Sequence, residues 1–493
     1  MHLPIELDRT LAEPLQNQLY QQLRGLILSQ RLKANTRLIA TRFLAEQLGI
    51  SRTTVLLAYE RLISEGYLET RPAIGTYVSV NLPDQAPAQA VQPPNGSELA
   101  TPPQAELHPP LFCAPILSPQ PTAKAAIDFS LLPDHSIFPL GLWQRITRQV
   151  LDNFGREVSQ PPPPTGIAPL KSAIAEWLAT HRGIVVEPRQ VIIVSGRQQG
   201  YNVAARLFLR PSDAVVVESP GDEGAGWLFQ SLGANLCPVP VDEHGILTDQ
   251  LPPGPVRLAH VTPAHQSPLG GTLPAERREQ LIAWARAAGA YIIEDDCHSD
   301  FRYRGMGPPS LKSLDPYGLV LFCGSFSHSL GAGLRLGYLV VPSELVPAAE
   351  AAKTLLDFGN PWLEQMVLAE FMACGEYDRH LRRVRKVYLE RRDCLLAAFR
   401  LYFGEAHLGG SDAGTHVTWY LPPGQQSAAQ IRNMARARGI GVYTLGDGFT
   451  TEGAAPPRRL LLLGYAALDE VQIRDGIAGL AALLKEPAFR AAG

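Results

Sequence analysis

A run of four hydrogen-bonding side chains, Ser51, Arg52, Thr53 and Thr54, stands near the N-terminus directly before a helical pattern. A serine in front of a helix accepts a hydrogen bond from a backbone N–H of the first turn, so Ser51 is a predicted N-cap. Polar side chains at the start of such a helix can reach the edges of base pairs in the major groove. The chemistry that this run predicts is hydrogen-bonded recognition of DNA.

The elements around this run form a predicted winged helix-turn-helix. Leucine or isoleucine recurs every fourth residue between positions 14 and 29, which predicts a first helix with one apolar stripe. A second helix is predicted over residues 41–48, ending at Gly49, and a third from Ser51 to about residue 64. Two helices joined by a tight turn containing glycine are a helix-turn-helix. Residues 66–71 and 75–80 then predict the two strands of a wing.

The charge of this region is modest for a DNA-binding domain. Residues 1–80 hold nine Lys and Arg against seven Asp and Glu, a net charge of +2. Binding to the phosphate backbone depends on clustered positive charge, which a dimer would double. The alternative interpretation is a small three-helix domain that binds protein.

Length and composition limit the remaining possibilities. The chain has 493 residues, which predicts two or three domains, with 45% hydrophobic and 18% charged residues and a net charge of −3. The N-terminus lacks the pattern of a signal peptide, and we find no apolar run long enough to cross a membrane. Six scattered cysteines indicate reduced thiols, so we expect a cytoplasmic protein.

Composition divides the chain into three regions. Residues 1–80 are the helix-turn-helix domain, residues 81–124 are a Pro/Ala/Gln-rich linker, and residues 125–493 form the remainder. In the last region, apolar strands alternate with amphipathic helices, as in 191–194, 214–217, 275–288, 291–293 and 319–322. That alternation predicts an α/β fold with a mostly parallel, doubly wound sheet.

The first region resembles the winged helix-turn-helix of the GntR family. The family motifs read Leu48-Gly49-Ile50-Ser51-Arg52-Thr53-Thr54-Val55, Ala58-Tyr59, Glu65-Gly66 and Gly75-Thr76 in this chain. The resemblance implies DNA contacts from arginines and from the wing glycine. The expected DNA-binding residues are Arg42, Ser51, Arg52, Thr53, Thr54, Arg71 and Gly75.

The last region resembles fold type I aminotransferases, and the whole chain is similar to the MocR subfamily of bacterial GntR regulators. The matching stretches include Ser195-Gly196-Arg197-Gln198, Thr262-Pro263-Ala264-His265-Gln266 and Gly333-Leu334-Arg335-Leu336-Gly337. The resemblance implies an effector-sensing large domain with a small C-terminal α+β subdomain from about residue 375. It also implies a homodimer, often head-to-tail, whose two DNA-binding domains read two half-sites of a double-stranded operator.

The resemblance also implies a pyridoxal phosphate site that has changed here. Asp295 matches the aspartate of the pyridine nitrogen, and Arg335 matches the phosphate-binding arginine. Four other positions depart from the family: His328 replaces the aldimine lysine, Asp222 a stacking tyrosine, Cys297 a tyrosine, and Arg197 a small serine or threonine. An imidazole has no primary amine to condense with an aldehyde. We therefore expect no covalent cofactor and no aminotransferase activity, while non-covalent pyridoxal phosphate stays open.

Two interpretations of the altered pocket remain. His328, Cys297 and Asp295, with Asp222 and His265 or His298, offer imidazole, thiolate and carboxylate groups that can bind a transition metal. The favoured interpretation is a polar pocket for a small organic effector, and its arginines suggest an anionic one. The other expected pocket residues are Gln198, Ser325, Ser327 and Arg459. The favoured function is a DNA-binding transcription regulator; the alternatives are a working aminotransferase and a regulator whose large domain only dimerises.

Overall fold

The computed structural model describes residues 3–11, 13–72, 74–83, 125–296, 298–305, 307–423, 426–445, 449–450 and 459–485. The chain divides into two units, residues 1–106 and 107–493, which are called here the head and the large unit. The predicted linker over residues 81–124 lies almost wholly outside the described residues, so its character stays a prediction. None of the described helices is long and apolar enough to span a bilayer.

The head has the three helices and the two-stranded wing that the sequence predicts. Its elements are α1 (Leu15–Leu28), α2 (Thr41–Leu48), α3 (Arg52–Ser64), β1 (Leu68–Arg71) and β2 (Gly75–Val78). The two strands pair antiparallel, with Leu68 opposite Val78. Leu19, Leu23 and Val55 are fully buried between the helices. The wing strands are shorter than predicted because Tyr67 still belongs to the turn after α3, where its N–H donates to the carbonyl of Leu62.

An eight-stranded sheet forms the centre of the large unit. The strands of the large unit from Ile127 to Val340 are β3 (Ile127–Asp128), β4 (Val191–Val194), β5 (Ala214–Ser219), β6 (Gly221–Asp222), β7 (Asn235–Asp242), β8 (Gly245–Ile246), β9 (Leu258–Val261), β10 (Tyr291–Asp296), β11 (Val320–Ser325) and β12 (Gly337–Val340). Eight of them form the sheet, in the order β4-β12-β11-β10-β9-β5-β7-β8, while β3 and β6 lie outside it. The five strands from β11 to β7 run parallel, while β12 is antiparallel to both of its neighbours and β8 is antiparallel to β7. The predicted mostly parallel sheet is confirmed.

Helices connect and cover these strands. They are α4 (Leu140–Phe154), α5 (Ala168–Arg182), α6 (Arg197–Phe208), α7 (Glu223–Ser231), α8 (Ala275–Ala288), α9 (Leu311–Leu314), α10 (Val346–Asp357) and α11 (Trp362–Ala373). One apolar core lies around α5, α11 and β4, and another around β5, α6 and α7. Strands covered on both sides are expected to be apolar throughout, as the fully buried residues of β4 are.

The C-terminal part of the large unit has its own core. It contains α12 (Glu376–Phe403), β13 (Leu408–Gly409), β14 (His416–Tyr420), α13 (Ala428–Ala437), β15 (Ile440–Gly441), β16 (Phe449–Thr450), β17 (Leu460–Gly464) and α14 (Glu470–Lys485). The strands β13, β14 and β17 form an antiparallel sheet, packed with α12 and α14 around Trp419 and Phe399. This arrangement has the α+β character expected of the small subdomain.

Candidate functional site

Two residues, Gly49 and Ser51, form the tight turn between α2 and α3. Gly49 ends α2 in the left-handed conformation, with a φ of 59° that favours glycine. Ser51 then caps α3, because its Oγ accepts the N–H of Thr54 at 3.1 Å. The same Oγ lies 2.8 Å from the Thr54 hydroxyl. Ser51 and Thr54 therefore help to hold the turn, whereas the exposed Arg52 and Thr53 project from the first turn of α3.

The predicted wing contacts occupy different surroundings. Arg71 is held in place, since it donates to Glu69 and to the Asn35 side chain at 2.6 Å and lies 4.3 Å from the Tyr77 ring centroid. Gly75 has a φ of 135°, and a Cβ there would lie 3.1 Å from Nε of Arg37. Glycine thus lets an exposed arginine lie against the wing. Arg37 was missed by sequence reasoning because no motif singles it out.

Arg42 is exposed in the first turn of α2. With Arg52 it gives the helix-turn-helix two cations whose side chains face solvent. Arg9, in the N-terminal segment, stabilises the tight turn, because its Nη2 donates to the carbonyl of Gly49 at 2.6 Å. The assignment of individual DNA contacts stays a prediction.

In the large unit, an ion pair lies near the C-terminal end of strand β10. The Asp295 carboxylate is buried, and its Oδ2 accepts from Nη1 of Arg197 and from the Tyr201 hydroxyl, each at 2.6 Å. Arg197 also lies 3.6 Å from Oδ2 of Asp222, and Nε2 of His260 lies 4.0 Å from Oδ2 of Asp295. A cation therefore stands between two carboxylates that belong to different strands.

Secondary structure explains why these groups meet. Asp295 is the second-to-last residue of β10, Arg197 begins α6 after β4, and Asp222 caps α7 by accepting the N–H of Ala225 at 3.0 Å. In an open sheet with parallel strands, the loops that follow the carboxyl ends gather at one edge, which is where ligands bind. Burial raises the pKa of the neighbouring Tyr201 phenol far above its usual range, so this hydroxyl stays a donor.

A second group of side chains beside this pair consists of four imidazoles. The ring centroids of His298 and His328 are 4.5 Å apart, those of His265 and His298 are 5.2 Å apart, and those of His265 and His416 are 5.5 Å apart. Burial lowers the pKa of all four rings, in the case of His328 to about 3. The group is therefore neutral at ordinary pH.

Several polar atoms of the two groups are buried without a partner. Within the described residues, both ring nitrogens of His265, Nδ1 of His328, Nε2 of His260 and Oδ1 of Asp295 have no hydrogen bond. A buried polar atom left unsatisfied costs about 1–3 kcal/mol. By contrast, Nε2 of His416 lies 2.8 Å from the carbonyl of Pro268. Unsatisfied atoms gathered at one place are what a site for a polar ligand presents.

The loop before α6 offers a place for an anion. Gly196 precedes the helix with a φ of 96°, and no side chain caps the N–H groups of the first turn. The guanidinium of Arg335 lies 3.6 Å from the point where a Cβ of Gly196 would stand. This side chain is exposed. A helix N-terminus beside an arginine favours negative charge.

The remaining predicted pocket residues are placed as follows. Ser325 ends β11, and its Oγ lies 2.9 Å from the Ser327 hydroxyl. Gln198 is exposed and donates to the carbonyl of Gly224 at 2.8 Å. Arg459 donates to the carbonyl of Gln426 at 3.0 Å, just before β17. Cys297 lies outside the described residues.

The structure brings five of the predicted pocket residues together in two neighbouring groups. Asp222, Asp295 and Arg197 form the acidic group, and His265 and His328 belong to the imidazole group. His416 was missed, because a single histidine in the apolar strand β14 carries no signal that it will reach the pocket. Among the described His, Cys, Asp and Glu residues, no group of three is arranged to hold a metal ion.

Comparison with known families agrees with both units. The family described as "Bacterial regulatory proteins, gntR family" matches residues 15–78, and "Aminotransferase class I and II" matches residues 139–447. The probable rhizopine catabolism regulatory protein MocR of Rhizobium meliloti is 34% identical over 480 residues, 96% of this chain and 94% of that protein. The chain belongs to the MocR-type transcriptional regulators of the GntR family.

Other relatives point the same way. The uncharacterized HTH-type transcriptional regulator YdeL of Bacillus subtilis is 33% identical over 97% of this chain and 98% of that protein. Among solved structures, Pyrococcus horikoshii kynurenine aminotransferase matches with a TM-score of 0.68 and 26% identity, over 74% of this chain and 91% of that one. A MocR-type regulator thus joins a GntR helix-turn-helix to an aminotransferase fold.

Proposed function

We propose that this protein is a DNA-binding transcription regulator whose large unit senses a small anionic effector without a Schiff base to pyridoxal phosphate. The observation that carries the proposal is the ion pair of Arg197 with Asp295, together with the imidazole at position 328. The cofactor requires a carboxylate oxygen for its ring nitrogen and an amine for its aldehyde. Oδ2 of Asp295 already accepts from Arg197 and Tyr201, its Oδ1 has no partner among the described residues, and the amine is absent. The residues do not fit a covalently held cofactor.

The same residues support a different ligand. The unpartnered nitrogens of His265 and His328 can donate or accept hydrogen bonds, since a neutral imidazole carries one donor and one acceptor. Arg335 and the first turn of α6 supply positive potential a short way along the same sheet edge. An effector with one anionic end and a polar body matches both features. In this account the aminotransferase fold serves as a binding scaffold and carries out no transamination.

A coupling experiment tests the proposal. The full-length chain is used to select duplexes from a randomised DNA pool, and binding to the selected duplex is titrated by fluorescence anisotropy. The titration is repeated with phosphate monoesters and dicarboxylates, each added separately. An effector must change DNA affinity, and by reciprocity DNA must change effector affinity by the same factor. Coupling of about fivefold or more is expected for at least one anion.

Two variants serve as controls. Arg335→Gln removes the exposed cation and should abolish the effect of the anion while leaving affinity for DNA alone unchanged. Arg210→Gln changes an exposed arginine of the large unit outside this edge and should leave the coupling intact. If none of the anions shifts either DNA affinity or the thermal midpoint, the sensing role is excluded for these ligands and a large unit that only dimerises becomes the better account.

A further inference from the structure

The exposed face of α3 carries two leucines that the packing of the head does not use. Leu56 is 41% exposed and Leu57 is 45% exposed, although both lie in a helix whose other apolar side chains are mostly buried. The core takes its contacts from the opposite side of the helix, through Val55, Tyr59 and Leu62. Adjacent exposed leucines on a short helix lose hydrophobic stabilisation unless a partner covers them.

Helical geometry places these leucines beside the predicted base-reading residues. With 3.6 residues per turn, Leu57 lies one turn after Thr53, and Leu56 lies one turn after Arg52. Both Arg52 and Thr53 are exposed in the first turn. The leucines are therefore the next side chains to meet a surface that the start of α3 approaches.

Double-stranded DNA offers an apolar group of the right kind. The major groove displays one methyl group, at C5 of thymine, and apolar side chains recognise it by contact. A protein surface is the other possible partner, but the neighbouring Arg52 and Arg42 favour a polyanion. Glu60, one turn beyond Leu56, is repelled by phosphates, yet its carboxylate can accept a hydrogen bond from a cytosine amino group. That combination favours contact with bases over contact with the backbone.

We propose that Leu56 and Leu57 read thymine methyl groups in the major groove and so set part of the operator sequence. The proposal rests on the DNA-binding role proposed above and adds a residue-level rule for specificity. The methyl contact is independent of salt, whereas contacts of basic side chains with phosphates depend on it.

Replacing thymine by uracil in the selected duplex removes only the C5 methyl group and tests the proposal without altering the protein. Each thymidine of the selected duplex is replaced in turn by deoxyuridine, and the Kd is measured with the full-length chain. At one or more positions in each half-site, affinity should fall by about fourfold, the effect of removing one buried methyl group. In the variant Leu56→Ala/Leu57→Ala, the ratio of the two Kd values should return to about one, and the single variants assign each position.

The controls distinguish recognition of thymine methyl groups by Leu56 and Leu57 from other causes of a change in DNA affinity. Leu355→Ala changes an 83% exposed leucine of the large unit and should keep the full preference for thymine. The thermal midpoint shows whether the double variant is folded, and the uracil duplexes give a result with the unaltered chain in any case. Equal binding of thymine and uracil duplexes, or a preference that persists in the double variant, overturns the proposal. If no duplex is selected at all, both this proposal and the DNA-binding role fail.

Discussion

The head and the pocket of the large unit differ in whether their polar side chains have hydrogen-bond partners. In the head, Ser51 and Thr54 satisfy each other and the backbone, and Arg71 is held by Glu69, so polar atoms are either paired or exposed. In the pocket, His265 and Asp295 keep buried atoms without a partner among the described residues. Among the described residues, the unpartnered buried side-chain atoms belong to the large unit and none belongs to the head. That difference is what the proposed division between a DNA-binding head and a ligand-binding pocket leads us to expect.

The largest effect is expected from breaking the ion pair in the pocket. Arg197→Met leaves the fully buried Asp295 carboxylate with the Tyr201 hydroxyl as its remaining close donor. Removing one member of a buried pair costs about 3 kcal/mol or more, and the 27% exposure of the arginine places this case at the low end. Thermal unfolding of the full chain should show a clearly lower midpoint.

The double variant Arg197→Met/Asp295→Leu is the matched control for this change. It removes the unpaired charge as well, so most of the lost stability should return. An unchanged midpoint in Arg197→Met would show that the ion pair has no role in organising the pocket.

A loss of folding stability at low pH should distinguish the imidazole group from the head. Burial lowers the folded-state pKa of His328 from 6.5 to about 3, and it lowers the pKa of the other three rings in the same direction. The unfolded chain then binds more protons below pH 6.5, so stability is present in full above that pH and is lost as pH falls. The loss approaches about 1.4 kcal/mol per histidine for each pH unit.

Thermal midpoints at a series of pH values between 8 and 5.5 measure this dependence. The variant His328→Gln should show a shallower loss than the parent chain, while His244→Gln, at an exposed position, should match the parent. Equal slopes for the parent chain and His328→Gln would exclude His328 from the titration.

In the head, stability and recognition should separate between neighbouring residues. Ser51→Ala removes the N-cap and is expected to lower head stability by about 1 kcal/mol. Arg52→Gln should leave stability unchanged but weaken DNA binding and reduce its dependence on salt. Urea unfolding and anisotropy titrations at several salt concentrations distinguish the two. A stability loss in Arg52→Gln equal to that in Ser51→Ala would contradict the division.

The smallest effect is expected at Arg71. Its guanidinium pairs with Glu69 while both side chains are well exposed, and such surface pairs contribute about 1 kcal/mol or less. Arg71→Gln should therefore barely change the urea midpoint. If Arg71 also contacts a phosphate, the salt dependence of DNA binding should fall by about one unit of slope. A salt slope equal to that of the parent chain would show that Arg71 makes no phosphate contact and only holds the wing.

The sequence predicts the fold well where the signals are local. Gly49 and Ser51 mark the turn of the head because a left-handed backbone and an N-cap each demand particular residue types. The predicted bounds of β4 and α8 agree with the structure because apolar runs and helical periodicity end where the elements end.

The pocket is less predictable because its contacts are not local. His265 and His416 are separated by about 150 residues, and only the docking of the small subdomain brings their rings to 5.5 Å. Likewise, nothing in the sequence around Arg197 indicates that its side chain turns towards Asp295 instead of the loop before α6. The resemblance to aminotransferases predicts a pocket at these residues, but it could not reveal the ion pair between Arg197 and Asp295.

The absorbance of the purified full-length chain during titration with pyridoxal phosphate tests the central claim most directly. The account predicts no saturable aldimine band and, after borohydride reduction, no cofactor adduct on any peptide of the pocket. His328→Lys/Arg197→Ser, which restores the amine and frees Asp295, is the positive comparison. An aldimine band in the unaltered chain that borohydride removes, with a fixed adduct on a pocket peptide, would contradict the account.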